Sequence, residues 1–253
     1  MTTLGGNICI RNGFRLDYCW RETVKSLLEV CDKVVICDCD SDDGTRKWID
    51  DWAATESRIV PVNFPWTNPE RTNQWWPEWI NYSRQHLDTD MHLQLDADEL
   101  IHPEDHEQIR NARDAKATLY FQRLNFWSDP KHLIPEGYCC GTKVLKMAPA
   151  NMPIPSDYPY EPANSTCAQA VDSNIRVFHY GFIRHREQFF EKAREVHRIW
   201  SGAMDERLAR AEKFEGNWAT MPGVTGWEDR IVDYTGNHPP LIHQWLRERG
   251  YEI

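Results

Sequence analysis

The chain has 253 residues, 29 Lys and Arg against 39 Asp and Glu, a formal net charge of −10, and 41% hydrophobic residues. Its 12 Trp, 9 Tyr and 9 Phe supply large apolar surfaces to bury, which excludes a disordered chain, and no run nears the ~18 apolar residues of a membrane-spanning helix. No stable membrane insertion is expected, and the opening MTTLGGNICIRNG lacks an apolar stretch of signal-peptide length, so the reading is cytoplasmic.

In chain order, Asn7 to Arg11 reads as a strand and Asp17 to Val30 as a helix with Trp20, Val24, Leu27 and Leu28 near one face. Lys33 to Cys37 is a buried strand that enters CDCDSDDGT, and Thr45 to Ala54 is the next helix. A strand over Arg58 to Val62, a helix over Asn73 to Leu87 and a strand over Met91 to Leu95 follow, the last running into DADE. Alternating strands and crossover helices predict an α/β fold with a mostly parallel sheet flanked by helices, whose ligands bind beyond the carboxyl ends of the strands. Thr118 to Trp127, Cys140 to Met147 and Ile175 to Tyr180 read as further strands. Residues 148–173 are Pro-rich and aperiodic, with the length of a functional loop. A helix from Arg186 to about Phe214 and short helices broken at HPP between Trp227 and Ile253 complete a helical appendage. The 8 Cys show no Cys-x-x-Cys spacing and are expected to be inert thiols.

The acidity is local. Residues 32–51 hold seven Asp against Lys33, Arg46 and Lys47, and residues 88–107 hold eight carboxylates and no Lys or Arg, so the remainder of the chain is slightly positive. Strict alternation over Met91 to Asp98 places Asp96 and Asp98 on one side of a strand end. Two neighbouring carboxylates repel unless protons or a cation intervene, and a divalent ion with oxygen ligands is the usual solution.

VVICDCDSDDGT resembles the nucleotide-binding turn of family 2 glycosyltransferases, QLDADE resembles their metal-binding Asp-x-Asp, and ICIRNG resembles their first strand and loop. The likeness covers roughly residues 6–105 and, more loosely, HYGFIR at 179–184. Asn81 lies 15 residues before Asp96, where these enzymes often carry the Asn of an Arg-Asn pair, although Ile80 stands in place of the Arg; Cys39 and Asp40 replace the more usual Asp-Gly. The resemblance implies a glycosyltransferase A (GT-A) fold moving a sugar from a nucleotide-sugar donor, a UDP-sugar foremost, to a hydroxyl acceptor. Residues 1–215 would form the catalytic domain, with a nucleotide-binding half over about 1–105 and an acceptor half over about 106–185, extended by 216–253. Arg11, Asn12, Asp38, Asp40, Asn81, Asp96 and Arg184 would bind the donor, while Asp98, Asp96 and His179 would hold Mn²⁺ or Mg²⁺. A divalent ion suits the charge that gathers on a departing nucleoside diphosphate.

An inverting transferase also needs a general base, and Asp157 leads the candidates, with Glu136, Glu161 and Asp172 behind it. Trp66, Trp75, Trp76, Trp79 and Trp127 are aromatic surfaces for a sugar face or for the core. The acceptor reads as a glycan or a hydroxylated base in DNA; the acidic total disfavours general DNA binding, yet residues 176–214 carry nine basic against six acidic residues. Two rivals are a haloacid dehalogenase-type phosphatase, whose pattern DCDSD breaks at Asp42, and a non-catalytic sugar- or nucleotide-binding module.

Overall fold

Strand β1 (Leu4–Ile10) lies inside a mixed sheet in the computed structural model, which describes residues 1–66, 75–134, 143–152, 170–200, 213 and 230–253, without the side chains of 75–77 and 196–200. Helix α1 (Trp20–Leu28) leads to β2 (Lys33–Asp38), which runs parallel to β1 from Gly5 opposite Lys33 to Ile10 opposite Asp38. Helix α2 (Thr45–Ala53) leads to β3 (Ile59–Asn63), parallel to β2. Helix α3 (Trp75–Arg84) then returns the chain to the other side of β1, where β4 (Met91–Gln94) pairs in parallel. The order β3-β2-β1-β4 therefore reverses direction between β1 and β4, and a crevice at such a switch point is where open α/β sheets bind ligands.

The parallel half is held by burial on both faces. Along β2, Val34 and Ile36 join a core with Val24, Leu27 and Ile49, while Val35 and Cys37 join Val62 and Trp79 on the other side. This is why VVIC reads as an unbroken apolar run rather than an alternating one. Helix α2 starts where Gly44 adopts φ +92° and Asp43 accepts the Thr45 N–H (3.0 Å), while the other Asp43 oxygen accepts the Phe14 and Arg15 N–H groups (3.0 and 2.8 Å). One carboxylate thus ties the loop after β1 to the start of α2.

Beyond β4 the sheet becomes mixed. β5 (Glu99–Ile101) leaves the main path, and helix α4 (His106–Asp114) precedes β6 (Leu119–Trp127). β7 (His132–Leu133) continues from β6, and β8 (Lys143–Pro149) inserts between β6 and β4, antiparallel to both. β9 (Val171–Phe182) runs parallel to β6 and antiparallel to β5. It begins before the expected Ile175, which shortens the Pro-rich connection; residues 153–169 within it lie outside the described residues. Helix α5 (Arg186–Trp200) follows, then β10 (Val232–Asp233) beside β7 and a short helix α6 (His243–Arg247). Ile242, Trp245 and Leu246 pack against Phe126, Phe178 and Tyr180 of the β6–β9 ribbon. His238 locks this contact, accepting the Tyr180 hydroxyl at Nδ1 (2.8 Å) and donating from Nε2 to the Pro130 carbonyl (2.9 Å).

The expected α/β architecture is present, with one local correction. β4 ends at Gln94, so Asp96 and Asp98 sit in a turn rather than on a continuing strand. The Glu99 carboxylate accepts the Asp96 N–H (2.7 Å) and the Asp96 carbonyl accepts the Glu99 N–H (3.1 Å), which closes the turn and ends the alternation. Among the described residues, no helix is long and apolar enough to cross a membrane. The described cysteines, Cys9, Cys19, Cys31, Cys37 and Cys39, are all free thiols.

Candidate functional site

At the carboxyl end of β2, Asp38 is 1% exposed. One of its oxygens accepts the Ser41 N–H (3.3 Å), and the other has no partner among the described residues. Burial raises its pKa above the usual carboxylate range, against the Ser41 contacts. A buried acceptor left open costs free energy, so this oxygen points to a ligand donor in the crevice. Asn12, at φ +52°, clamps the β1 and β2 loops: its N–H donates to Ser41 Oγ (2.8 Å) and its Oδ1 accepts the Asp42 N–H (2.9 Å). Its amide nitrogen is likewise without a partner among the described residues.

Arg11 lies over the Trp66 ring at 4.7 Å and pairs with Glu195 at 2.8 Å. Asp40 secures Trp66 by accepting its backbone N–H (2.5 Å) and also accepts the Asn63 amide (3.2 Å). Asp40, expected to bind the donor, holds Trp66 in place through these contacts. Trp66 packs in turn on the buried Trp79, with ring centroids 4.8 Å apart.

Across the switch point, the turn between β4 and β5 presents three buried carboxylates to four cations. Asp96 accepts from Arg123 (2.7 Å) and the Gln94 amide (2.9 Å), with Lys146 at 3.6 Å. Glu99 pairs with Lys146 (2.6 Å) and Arg123 (2.9 Å), and both the Glu99 and Lys146 side chains are 0% exposed. Asp98 turns to the other side, where one oxygen accepts from Arg184 (2.9 Å) and Lys192 (2.8 Å). Burial works against all three charges. Lys192 and Arg184 nevertheless hold Asp98 well below the ordinary range, and Lys146 and Arg123 hold Asp96 below it. Glu99 ends above it, through burial and the neighbouring Asp96 charge. The repulsion expected of the paired carboxylates is thus met largely by basic side chains.

His179 Nε2 stands 3.4 Å from the second Asp98 oxygen. Its Nδ1–H donates to Asn125 Oδ1 (2.8 Å), and burial lowers its pKa to about 4, so the ring is neutral with the Nε2 lone pair facing Asp98. An outer acceptor that fixes the tautomer in this way is the usual support of a metal-binding imidazole. Gly181 keeps the space open, because a Cβ there would lie 2.3 Å from His179 Nε2 and 3.1 Å from Asp98 Oδ2. Asp98 and His179 therefore fit as two ligands of a Mn²⁺ or Mg²⁺ ion, while Asp96, the third expected ligand, pairs with Arg123. Among the described residues no group of three His, Cys, Asp or Glu could hold an ion.

Arg184, expected to bind the donor, lies beside Asp98. Its guanidinium is buried, donating to the Gly181 carbonyl (3.0 Å), the Leu16 carbonyl and Asp98, and it covers the Tyr18 ring at 4.7 Å. These contacts brace the turn that carries Asp98. Asn81, on α3, accepts from Arg84 at 3.5 Å. Asp172 pairs with Lys143 on the surface. The candidate bases Asp157, Glu136 and Glu161 lie outside the described residues, as do the side chains of Trp75 and Trp76. Trp127 is buried, in the core role.

Sequence reasoning missed Arg123, Lys146 and Lys192. Arg123 shares the buried register of β6 with Phe121 and Asn125, and Lys146 sits inside the buried stretch of β8, so a charge at an inward strand position was the available signal. Lys192 carries no comparable mark; α5 brings it in together with Glu191, which pairs with Arg15 (3.3 Å), and Glu195, which pairs with Arg11.

No protein-family profile and no curated protein matches the chain. Among solved structures, it is similar to S. aureus TarS residues 1–349 at 14% identity, over 82% of this chain and 69% of that one, with a TM-score of 0.46. The same TarS segment in complex with UDP matches at 15% identity over 84% and 70%, and in complex with UDP-GlcNAc at 14% over 83% and 71%, each with a TM-score of 0.46. A longer TarS chain matches at 14% identity and a TM-score of 0.45, over 85% of this chain and 44% of that one.

Proposed function

We propose that the protein is a glycosyltransferase that moves a sugar from a nucleoside diphosphate donor, a UDP-sugar foremost, to a hydroxyl acceptor, which is a glycan or a hydroxylated base in DNA. The observation that carries this reading is the buried Asp38 oxygen at the carboxyl end of β2, without a partner among the described residues, together with the cations gathered at the turn after β4. An open carboxylate acceptor suits a nucleobase N–H or ribose hydroxyl, and the cations suit a diphosphate. Arg11 and Trp66 form an adjacent wall on which a flat base could stack. Asp98 and His179 would hold Mn²⁺ or Mg²⁺, which when bound supplies positive charge to the departing diphosphate. For an inverting transfer, Asp157 is the preferred candidate for the general base, with Glu136 as the alternative.

The test measures nucleoside diphosphate release from UDP-, GDP- and dTDP-sugars with Mn²⁺, in wild type and Asp38→Asn. Losing one hydrogen bond to a charged group, ~1.5–3 kcal/mol, weakens donor binding about ten- to a hundredfold in the variant. Failure of all three nucleotides to bind, or equal binding by the variant, refutes the reading.

A further inference from the structure

We propose that Lys192 is the residue that receives the donor's diphosphate, exchanging its contact with Asp98 for a phosphate oxygen, and that this anchoring needs no divalent ion. The inference deepens the donor-site reading and rests on it for the identity of the ligand. Among the described residues three buried carboxylates, Asp96, Asp98 and Glu99, face four cations, Arg123, Lys146, Arg184 and Lys192.

Three of the four cations are poorly placed to move. Arg123 and Lys146 are buried between Asp96 and Glu99, and the Arg184 side chain is 0% exposed and held by two backbone carbonyls. Lys192 differs: its side chain is 19% exposed, it crosses the Tyr18 ring at 4.8 Å, and beyond Asp98 it makes a 3.4 Å contact with the Gly181 carbonyl. A lysine ammonium on a flexible stem can turn from one oxyanion to another, as a forked guanidinium bound on several sides cannot. When it leaves, Asp98 keeps Arg184, so no buried carboxylate is stranded. Its helix also carries Glu195, whose carboxylate occupies Arg11 from the same side. Helix α5 therefore places one cation beside Asp98 and one anion beside Arg11.

The experiment titrates inorganic pyrophosphate by calorimetry, in a chelating buffer, into wild type, Lys192→Met and Lys192→Arg, with a thermal melt of each. The expected result is binding to wild type, weakened about tenfold or more in Lys192→Met and largely restored in Lys192→Arg, with unchanged melts. Equal affinity in Lys192→Met, or binding that appears only when Mn²⁺ is added, overturns the proposal. A measurement on wild type alone guards against a variant that does not fold. In lysine-labelled protein the Lys192 Nζ resonance, assigned by its loss in Lys192→Arg, shifts on saturation with pyrophosphate; an unmoved resonance overturns the proposal. UDP, GDP and dTDP are titrated in parallel. If pyrophosphate binds through Lys192 but none of the nucleotides binds more tightly, the anion anchor stands and the nucleotide-donor reading falls.

Discussion

Replacing Lys146 with Met removes a cation that is 0% exposed and lies 2.6 Å from an equally buried Glu99. Met keeps most of the side chain's volume, so the loss is chiefly one of charge. Arg123 is then left facing both Asp96 and Glu99, one cation for two carboxylates. The excess charge has one escape, which is protonation of Glu99, whose pKa already lies above the ordinary value. Protonating a carboxylate of ordinary pKa ~4.3 at pH 7 costs about 3.7 kcal/mol, which caps the penalty and agrees with the ~3–5 kcal/mol typical of a broken buried pair. The variant should therefore lose about 3–4 kcal/mol at pH 7, a large share of the ~5–15 kcal/mol that stabilises most domains. Glu99 titrates upward in the folded state, so the deficit is greatest above its folded pKa and shrinks by about 1.4 kcal/mol per pH unit as pH falls toward 5. Urea unfolding of wild type and variant at pH 7 and pH 5 measures both effects, and adding Glu99→Gln should recover most of the loss. A deficit under about 1 kcal/mol at pH 7, or an equal deficit at both pH values, would refute this account of the network.

Gly181→Ala places a Cβ within 2.3 Å of His179 Nε2, so the ring must move away from Asp98; stimulation of turnover by Mn²⁺ should fall by about tenfold or more, followed by metal titration of the activity. Pyrophosphate binding by the same variant in chelator should change little, and a parallel loss would mean that Asp98 had moved as well. His92 and His238 are buried and neutral, with burial lowering both pKa values to about 4 against an unfolded value near ~6.5. Their contribution to stability is complete above about pH 6.5 and declines as pH falls toward 4, so urea midpoints should drop across that window; a rise would contradict their burial as neutral rings.

The parallel half of the fold was legible because its signals are local. VVIC is apolar on both faces of a buried strand, and Asp43 and Gly44 mark the start of α2 by hydrogen bonds to near neighbours. Asp38 was singled out by the resemblance of VVICDCDSDDGT to a known nucleotide-binding turn. The alternation through Asp98 misled, since one Glu99 carboxylate captures the Asp96 N–H and turns the chain, an event that a two-residue period does not encode. The cations were harder still to assign. Arg123 reaches Asp96 across 27 positions, Arg184 reaches Asp98 across 86, and Lys192 reaches Asp98 across 94. Pairing at such separations is fixed by sheet order and by the placement of α5. The role of Arg184 depends further on backbone carbonyls at Gly181 and Leu16, groups that side-chain identity does not reveal.

This separation has a consequence for synthesis. A ribosome delivers Asp96, Asp98 and Glu99 well before Arg123, Lys146, Arg184 and Lys192, so the nascent parallel half carries carboxylates whose folded positions are buried but whose counter-charges do not yet exist. That half should stay loose on the ribosome until β6 and β8 emerge, and the turn after β4 should settle only when α5 has been made. A fragment ending near residue 105 would then be a poor folding unit despite holding the most recognisable stretches of the chain, and its missing partner would be the segment that brings the charge.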